Sequence, residues 1–236
     1  MNKKNYLLDL NNSKKSFIIY KSDKGFDLYT DFSKKIILNN KNINEFINKN
    51  TRLKSSHKET DLFIGFFGYE ILNNLIDVKI KKQKTTNFPK GIFYKPEKKI
   101  KLSNNLGCKK TRSSNPNDLF KININKKSYK VIFDKFKKKI KSGETYQIKI
   151  CTKYSNKSKI DALDFFARLV KSNMAPEAFM IKDKDYSIIS CSPENLITKK
   201  NNFITTKPIA GTLKKTKKLN KNKALTFFRK NLKETK

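Results

Sequence analysis

The sequence is poor in the residues that most often build a reactive centre. Histidine occurs once, at His57, in 236 residues, which argues against a His-based zinc site or a Ser/His/Asp triad assembled within this chain. Cysteine occurs three times, at Cys108, Cys151 and Cys191, widely spaced and without a close pair. That excludes a disulfide framework and fits the reduced thiols of a cytoplasmic protein. With 7 glycines and 6 prolines there is no Gly/Ser-rich or Pro-rich linker, and no internal repeat. No window approaches the roughly 18 consecutive apolar residues of a bilayer span, so no membrane partner is expected. The start, Met1 to Asp9, has a basic tip whose apolar run stops at Asp9, which is not the pattern of a signal peptide. Acidic residues are also scarce, 20 against 55 basic ones, for a formal net charge of +35.

Such a charge raises the question of nucleic acid. Of the basic residues 51 are Lys, and only Arg52, Arg112, Arg168 and Arg229 are Arg. Bidentate recognition of bases and phosphates favours the planar Arg fork, which Lys cannot imitate. The lysines are spread over the whole chain beside 27 Asn and 25 Ile, with only 6 Ala, the bias that AT-rich codons produce. They read as solvated lysines and not as a binding face, so nucleic acid is not an expected partner; charge alone speaks to solubility and nonspecific attraction.

What is present is enough for a folded protein: a 36% hydrophobic share with 18 Phe and 9 Tyr is too apolar for a disordered basic tail. Turn formers between Lys101 and Asn125 mark a boundary, giving an N-terminal region 1–115 and a second region 118–236. Before it, Phe17–Tyr20, Phe26–Tyr29 and Lys35–Leu38 read as strands and Ile43–Asn48 as a helix. Asp61–Glu70 then leads into an apolar segment through Ile76. After the boundary, Tyr129, Ile132, Phe133, Phe136 and Ile140 recur at helical spacing, with Ser128 as a cap and Gly143 at the C-terminal glycine position. Tyr146–Tyr154 alternates with period two, putting Gln147, Lys149 and Cys151 on one face. Asp161 opens a helix carrying Leu163, Phe166, Leu169 and Val170. Phe179–Ile181, Tyr186–Ile189 and Leu196–Thr198 read as strands, and Lys199–Asn202 as a hairpin turn into Phe203–Thr206. The connections are too short for parallel crossovers, so the fold class is α+β, with antiparallel sheets and outer helices.

Taken singly, the chemical signals are modest. Gly65-Phe66-Phe67-Gly68-Tyr69 has the glycines of a close-packed turn, and Ser192-Pro193-Glu194 is a tripeptide common by chance. Pro208-Ile209-Ala210-Gly211-Thr212 follows a strand and offers backbone amides and a hydroxyl that could cradle an anion. Their order and spacing together resemble the chorismate-utilising enzymes, most closely the large subunit (component I) of anthranilate synthase. Ser142-Gly143-Glu144-Thr145-Tyr146-Gln147 is similar to that family's step from helix into strand. Asn173-Met174-Ala175-Pro176 is similar to its Asn-Pro-x-Pro segment, with Met174 in place of the first proline. Cys191–Leu196 matches its Ser-Pro-Glu segment, and Thr206–Thr212 its Pro-Ile-Ala-Gly-Thr loop. The resemblance covers roughly residues 60–236, and residues 1–59 match weakly.

The resemblance implies an α/β sandwich of the anthranilate synthase type and magnesium-dependent chemistry on chorismate. In that chemistry a nucleophile attacks ring position C2, hydroxyl leaves from C4, and pyruvate elimination aromatises the ring. Water-using relatives carry a Lys base where this chain has Gln147, and a neutral amide cannot act as a general base. Relatives that make aminodeoxychorismate carry a nucleophilic Lys where this chain has Ala210, which has no nucleophile to offer. Both positions point to an ammonia-using lyase of the anthranilate synthase type, in tryptophan and so aromatic amino acid biosynthesis. A glutamine amidotransferase subunit (component II) is the implied partner. Gln147 is the implied catalytic position, and Ala210, Gly211 and Thr212 the implied substrate-binding ones. Lys149 reads as one more solvated lysine.

The resemblance also places the Mg2+-binding glutamates, the catalytic histidine and the pyruvate-holding arginine in a C-terminal half beyond Lys236. The expectation is therefore an N-terminal portion of the enzyme (a split-gene product completed by a separate chain, a truncated gene or an incomplete reading), inactive without that half and with apolar faces left open. Tryptophan inhibition is not expected: Leu7-Leu8-Asp9-Leu10 resembles a Leu-Leu-Glu-Ser segment with Leu10 for the serine, and Glu177 stands where an aromatic is usual. Two other readings stay open: aminodeoxychorismate synthase component I, in folate and p-aminobenzoate synthesis, and a noncatalytic fragment that binds a partner or nucleic acid through its lysines.

Overall fold

Backbone pairing brings most of the short apolar runs into one sheet in the computed structural model, which describes residues 3–13, 15–51, 58–71, 88–107, 120–157, 160–173, 175–200, 202–209 and 211–230. Among the described residues ten strands follow in chain order: β1 (Phe17–Ser22), β2 (Gly25–Ile37), β3 (Ile64–Phe67), β4 (Gly91–Leu102), β5 (Lys121–Ile122), β6 (Tyr154–Ser155), β7 (Glu177–Lys182), β8 (Ser187–Ser192), β9 (Thr198–Lys200) and β10 (Phe203–Thr205). The α-helices are α1 (Lys3–Asn12), α2 (Ile43–Thr51), α3 (Lys126–Lys141), α4 (Ala162–Asn173) and α5 (Lys221–Lys230). Six strands form one sheet in the order β3-β4-β2-β1-β7-β8, every neighbour antiparallel. The described residues thus form an α+β fold, as the pattern of short antiparallel connections predicts.

The chain divides into two compact units, residues 1–108 with 162–236, and residues 109–161. The boundary expected between 115 and 118 lies within residues 108–119, outside the described residues, as does the continuation from 72 to 76 of the apolar segment after Tyr69.

In the larger unit the central strand explains the uninterrupted run Phe17-Ile18-Ile19. Phe17 and Ile19 pack with Leu7 and Leu10 of α1 and with Leu163, Phe166 and Ala167 of α4, whereas Ile18 joins Tyr29, Ile92, Tyr94 and Ile181 in a separate cluster. A strand covered on both faces needs apolar residues without alternation. The runs Phe26–Tyr29 and Lys35–Leu38, the latter up to Ile37, belong to one 13-residue strand, β2, with an irregularity in its pairing to β4 between Phe32 and Lys34. Pairing of β1 with β7 sets Ile18 opposite Ile181 and Tyr20 opposite Phe179, which carries the second half of the chain onto the first.

The segment Gly65–Gly68 shows why glycine is needed there. A Cβ on Gly65 would lie 1.9 Å from the Ile92 carbonyl oxygen, in the ladder where Gly65 pairs with Phe93. Both strands would have to shift. Gly65→Ala is expected to cost about 1–3 kcal/mol, the range for forcing atoms into a packed site, measured as a lower urea midpoint. An unchanged midpoint would mean that β3 is not held there in solution.

The smaller unit corrects two expectations. Helix α3 is capped by Asn125, not Ser128: the Asn125 side chain accepts a hydrogen bond from the Ser128 amide at 2.8 Å. Asn125 satisfies one of the orphan N–H groups of the first turn, the Ser128 amide, and Ser128 lies inside that turn as its third residue. Gly143 does take the left-handed conformation after the helix, at φ +77°. The strand expected over Tyr146–Tyr154 does not form; only Tyr154–Ser155 enters a ladder, with Lys121–Ile122. Tyr146 is 92% exposed. Period-two alternation becomes a strand only where a neighbour takes its backbone hydrogen bonds; among the described residues Tyr146–Thr152 pairs with no strand, and the contact begins only at Lys153, whose carbonyl accepts from the Asn123 amide at 3.1 Å.

Candidate functional site

Strand β8 ends at Ser192, paired with Glu177 at the start of β7, and the chain beyond is held by side chains. The Ser192 hydroxyl donates to the Glu194 carbonyl at 3.0 Å and accepts from the Glu194 amide at 3.4 Å. This closes the Ser-Pro-Glu segment into a local turn of the kind Ser favours. Glu194 then reaches the second segment singled out by the sequence: its Oε1 accepts from the Ile209 amide at 3.3 Å. Two stretches separated by the β9–β10 hairpin (Lys200 opposite Phe203) are so tied to each other.

Asn195 adds a second tie. Its Nδ2 donates to Glu177 Oε1 at 3.0 Å, and its Oδ1 accepts from Thr198 Oγ1 at 3.0 Å. The other oxygen of Glu177 accepts from the Tyr20 hydroxyl of β1. Burial first, and the bond to Glu177 second, hold the Tyr20 phenol above its ordinary range, so it stays a donor across physiological pH. Sequence reasoning missed Tyr20, Glu177 and Asn195 as a group. One signal was visible, a carboxylate at 177 where the resembled family has an aromatic ring.

Of the site residues read from sequence, Gly211 is half-buried and Thr212 exposed, both in the unregular stretch before α5. Ala210 lies outside the described residues. Gln147 is exposed in the smaller unit, in unregular chain where its carbonyl accepts from Thr145 Oγ1 at 3.2 Å. The face shared with Lys149 is therefore not part of any ladder. Exposed lysines follow the loop closely, at Lys207, Lys214, Lys215, Lys217 and Lys218, and make its surroundings cationic. Large apolar side chains are exposed nearby in sequence: Leu196, Ile197, Phe203, Ile204 and Ile209.

Among the described residues no three His, Cys, Asp or Glu side chains come together as a metal cage. Magnesium takes an octahedral set of oxygens, several of them water and one or two from carboxylates, and its ligands are taken up with the proposal below. Also among the described residues, no helix is long and apolar enough to cross a membrane.

Known proteins are similar to this chain over part of its length. Aminodeoxychorismate synthase component 1 of Bacillus subtilis is 30% identical over 92 residues, 39% of this chain and 20% of that protein. Anthranilate synthase component 1 of Buchnera aphidicola subsp. Pemphigus spyrothecae is 33% identical over 118 residues, 49% of this chain and 22% of its own length. An anthranilate synthase component I-like protein of Synechocystis is 23% identical over 188 residues, 69% of this chain and 39% of its own. The chain thus spans well under half the length of these relatives. The chorismate binding enzyme family matches residues 3–236, so the protein belongs to the chorismate binding enzymes.

Proposed function

We propose that the chain forms part of an anthranilate synthase component I-type enzyme, which aminates chorismate with ammonia and eliminates pyruvate. The observation that carries this reading is the hydrogen bond from the Ile209 amide to Glu194, which joins the Ser-Pro-Glu turn to the loop expected to hold substrate. Chorismate carries two carboxylates, and a loop flanked by Lys207, Lys214 and Lys215 attracts such a dianion. In this reading the Gly211 amide and the Thr212 hydroxyl donate to the ring carboxylate. Gln147, a neutral amide, leaves water unactivated and so favours ammonia; Ala210 supplies no nucleophile. A glutamine amidotransferase component II delivers the ammonia. Magnesium, when bound, would neutralise charge on the substrate and leaving group; its ligands belong in this proposal to a further segment or a separate chain.

Aminodeoxychorismate synthesis is the second reading, favoured by the 30% identity to the Bacillus subtilis protein. Complementation decides between them. The gene, co-expressed with an amidotransferase subunit and a chain supplying the C-terminal half, is expected to rescue a tryptophan auxotroph and not a p-aminobenzoate auxotroph. The reverse pattern would select the second reading.

The loop assignment makes its own prediction. In the completed enzyme Thr212→Val is expected to weaken chorismate binding by about 1–3 kcal/mol, the cost of removing one partner of a buried hydrogen bond. Calorimetric titration reads it directly, and unchanged affinity would remove Thr212 from the site.

A further inference from the structure

Glu177 is set apart by what its two oxygens do. Tyr20 pairs with Phe179 across the β1–β7 ladder, which leaves Glu177 two residues along on the same face. That diagonal is about 7–8 Å between backbones, within reach of two long side chains. One carboxylate oxygen takes the Tyr20 hydroxyl; the other takes Asn195 Nδ2 at 3.0 Å. The sheet stops at the Glu177–Ser192 pair. From there, the Glu177–Asn195 bond ties the departing chain back to a strand that is itself anchored in the middle of the sheet.

We propose that Glu177 is a positioning residue: through Asn195 it fixes the Ser192–Asn195 turn, and through the neighbouring Glu194 it fixes the loop around Ile209. The last step, from a fixed loop to substrate affinity, rests on the chorismate reading above; the positioning itself does not. The residue type follows from the partners. Both are donors on separate segments, so the bridge needs two acceptor oxygens. A glutamine offers one acceptor and one NH2 group and satisfies half of the bridge. An alanine satisfies none. Thr198 donates to the remaining polar atom of Asn195, which orients the amide so that its NH2 faces Glu177.

The test is amide hydrogen exchange at Ile209 and its neighbours in the full 236-residue chain, followed by NMR for the wild type, Glu177→Ala and Glu177→Gln. In Glu177→Ala these amides are expected to exchange about 5- to 30-fold faster, the factor for losing one or two net hydrogen bonds. Amides of β2 and β4 should keep wild-type rates, which a general loss of stability would not allow. Glu177→Gln should recover part of the loop protection. Wild-type exchange at Ile209 in Glu177→Ala overturns the proposal. Should that variant fail to fold, Asn195→Ala cuts the same link while leaving the Tyr20 contact in place, and is read the same way. A parallel titration with chorismate separates the two levels of the inference. No chorismate binding by the wild-type chain or by its completed complex counts against the chorismate reading alone, and exchange still decides the positioning. Binding that falls in Glu177→Ala and partly returns in Glu177→Gln supports both. Binding unchanged beside a loosened loop overturns the step from loop to substrate.

Discussion

Asp183→Ala is expected to lower the folding stability by about 2–4 kcal/mol at neutral pH, the range for stripping a buried charged group from its partners. Asp183 is 5% exposed in the turn between β7 and β8. It accepts from the Tyr94 hydroxyl, the Ser16 hydroxyl at 2.9 Å and the Lys184 amide at 2.8 Å, and pairs with Lys35. These partners come from β2, β4 and the residue before β1, so one carboxylate ties together strands distant in sequence. Its removal leaves the Tyr94 hydroxyl, on a residue only 1% exposed, without its acceptor. Burial alone would push the Asp183 carboxyl up. The hydrogen bonds from Lys35, Tyr94, the Lys184 amide and Ser16 outweigh it and hold the group well below the usual carboxylate range. A folded-state value below the unfolded one gives stability that is complete above the unfolded pKa of about 3.9 and lost as pH falls beneath it. The stability gap between wild type and Asp183→Asn should therefore be constant from neutrality to about pH 5 and narrow by about 1 kcal/mol near pH 3. Urea titrations across that range measure it. A gap that stayed constant in acid would show that the charge is not its source.

How far the sequence reaches can be seen at particular residues. The apolar run Phe17–Ile19 was legible as a strand because β-branched and aromatic residues between turn formers have few other uses. A hairpin into Phe203–Thr205 was legible from the turn formers before it, although Lys199 and Lys200 belong to β9 and not to the turn and Leu196–Ile197 stay outside the strand; α3 and α4 were legible from three- and four-residue spacing. The union of β2 from two runs was not, because Asp31, Ser33 and Lys34 between them look like a break when pairing is unknown. Tyr146–Tyr154 failed in the opposite direction: its alternation is real, but a strand also needs a neighbour, and periodicity carries no information about neighbours. The pairing of β1 with β7 lay out of reach for the same reason.

The candidate site divides along the same line. The Ser192–Asn195 and Pro208–Thr212 segments were legible because their residues are unusual in order and spacing. That Glu194 binds the Ile209 amide, and that Glu177 braces Asn195, are facts of tertiary structure. A sequence shows which groups can donate and accept, not which of them meet.

Phe166→Ala is expected to cost about 3–5 kcal/mol, the range for truncating a buried aromatic ring. Phe166 is 0% exposed on the sheet-facing side of α4, edge-to-face with Phe26 at a centroid distance of 5.8 Å. Leu163 and Ala167 share its face, and the same cluster holds Leu7 and Leu10 of α1. Removing the ring opens a cavity beneath two helices at once, and neither can close it without leaving the sheet. Against a total stability of about 5–15 kcal/mol this is a large fraction, so the variant should unfold at much lower urea with an unchanged slope. Phe166→Leu refills most of the volume and should recover more than half of the loss. The consequence reaches the candidate site because α4 leads directly into β7, which begins at Glu177. A variant that weakens the α4 packing should therefore raise exchange at Ile209 only in proportion to global unfolding, whereas Glu177→Ala raises it locally. Equal loop exchange in the two variants at matched global stability would mean that the loop is held by the core as a whole and not by the Glu177 bridge.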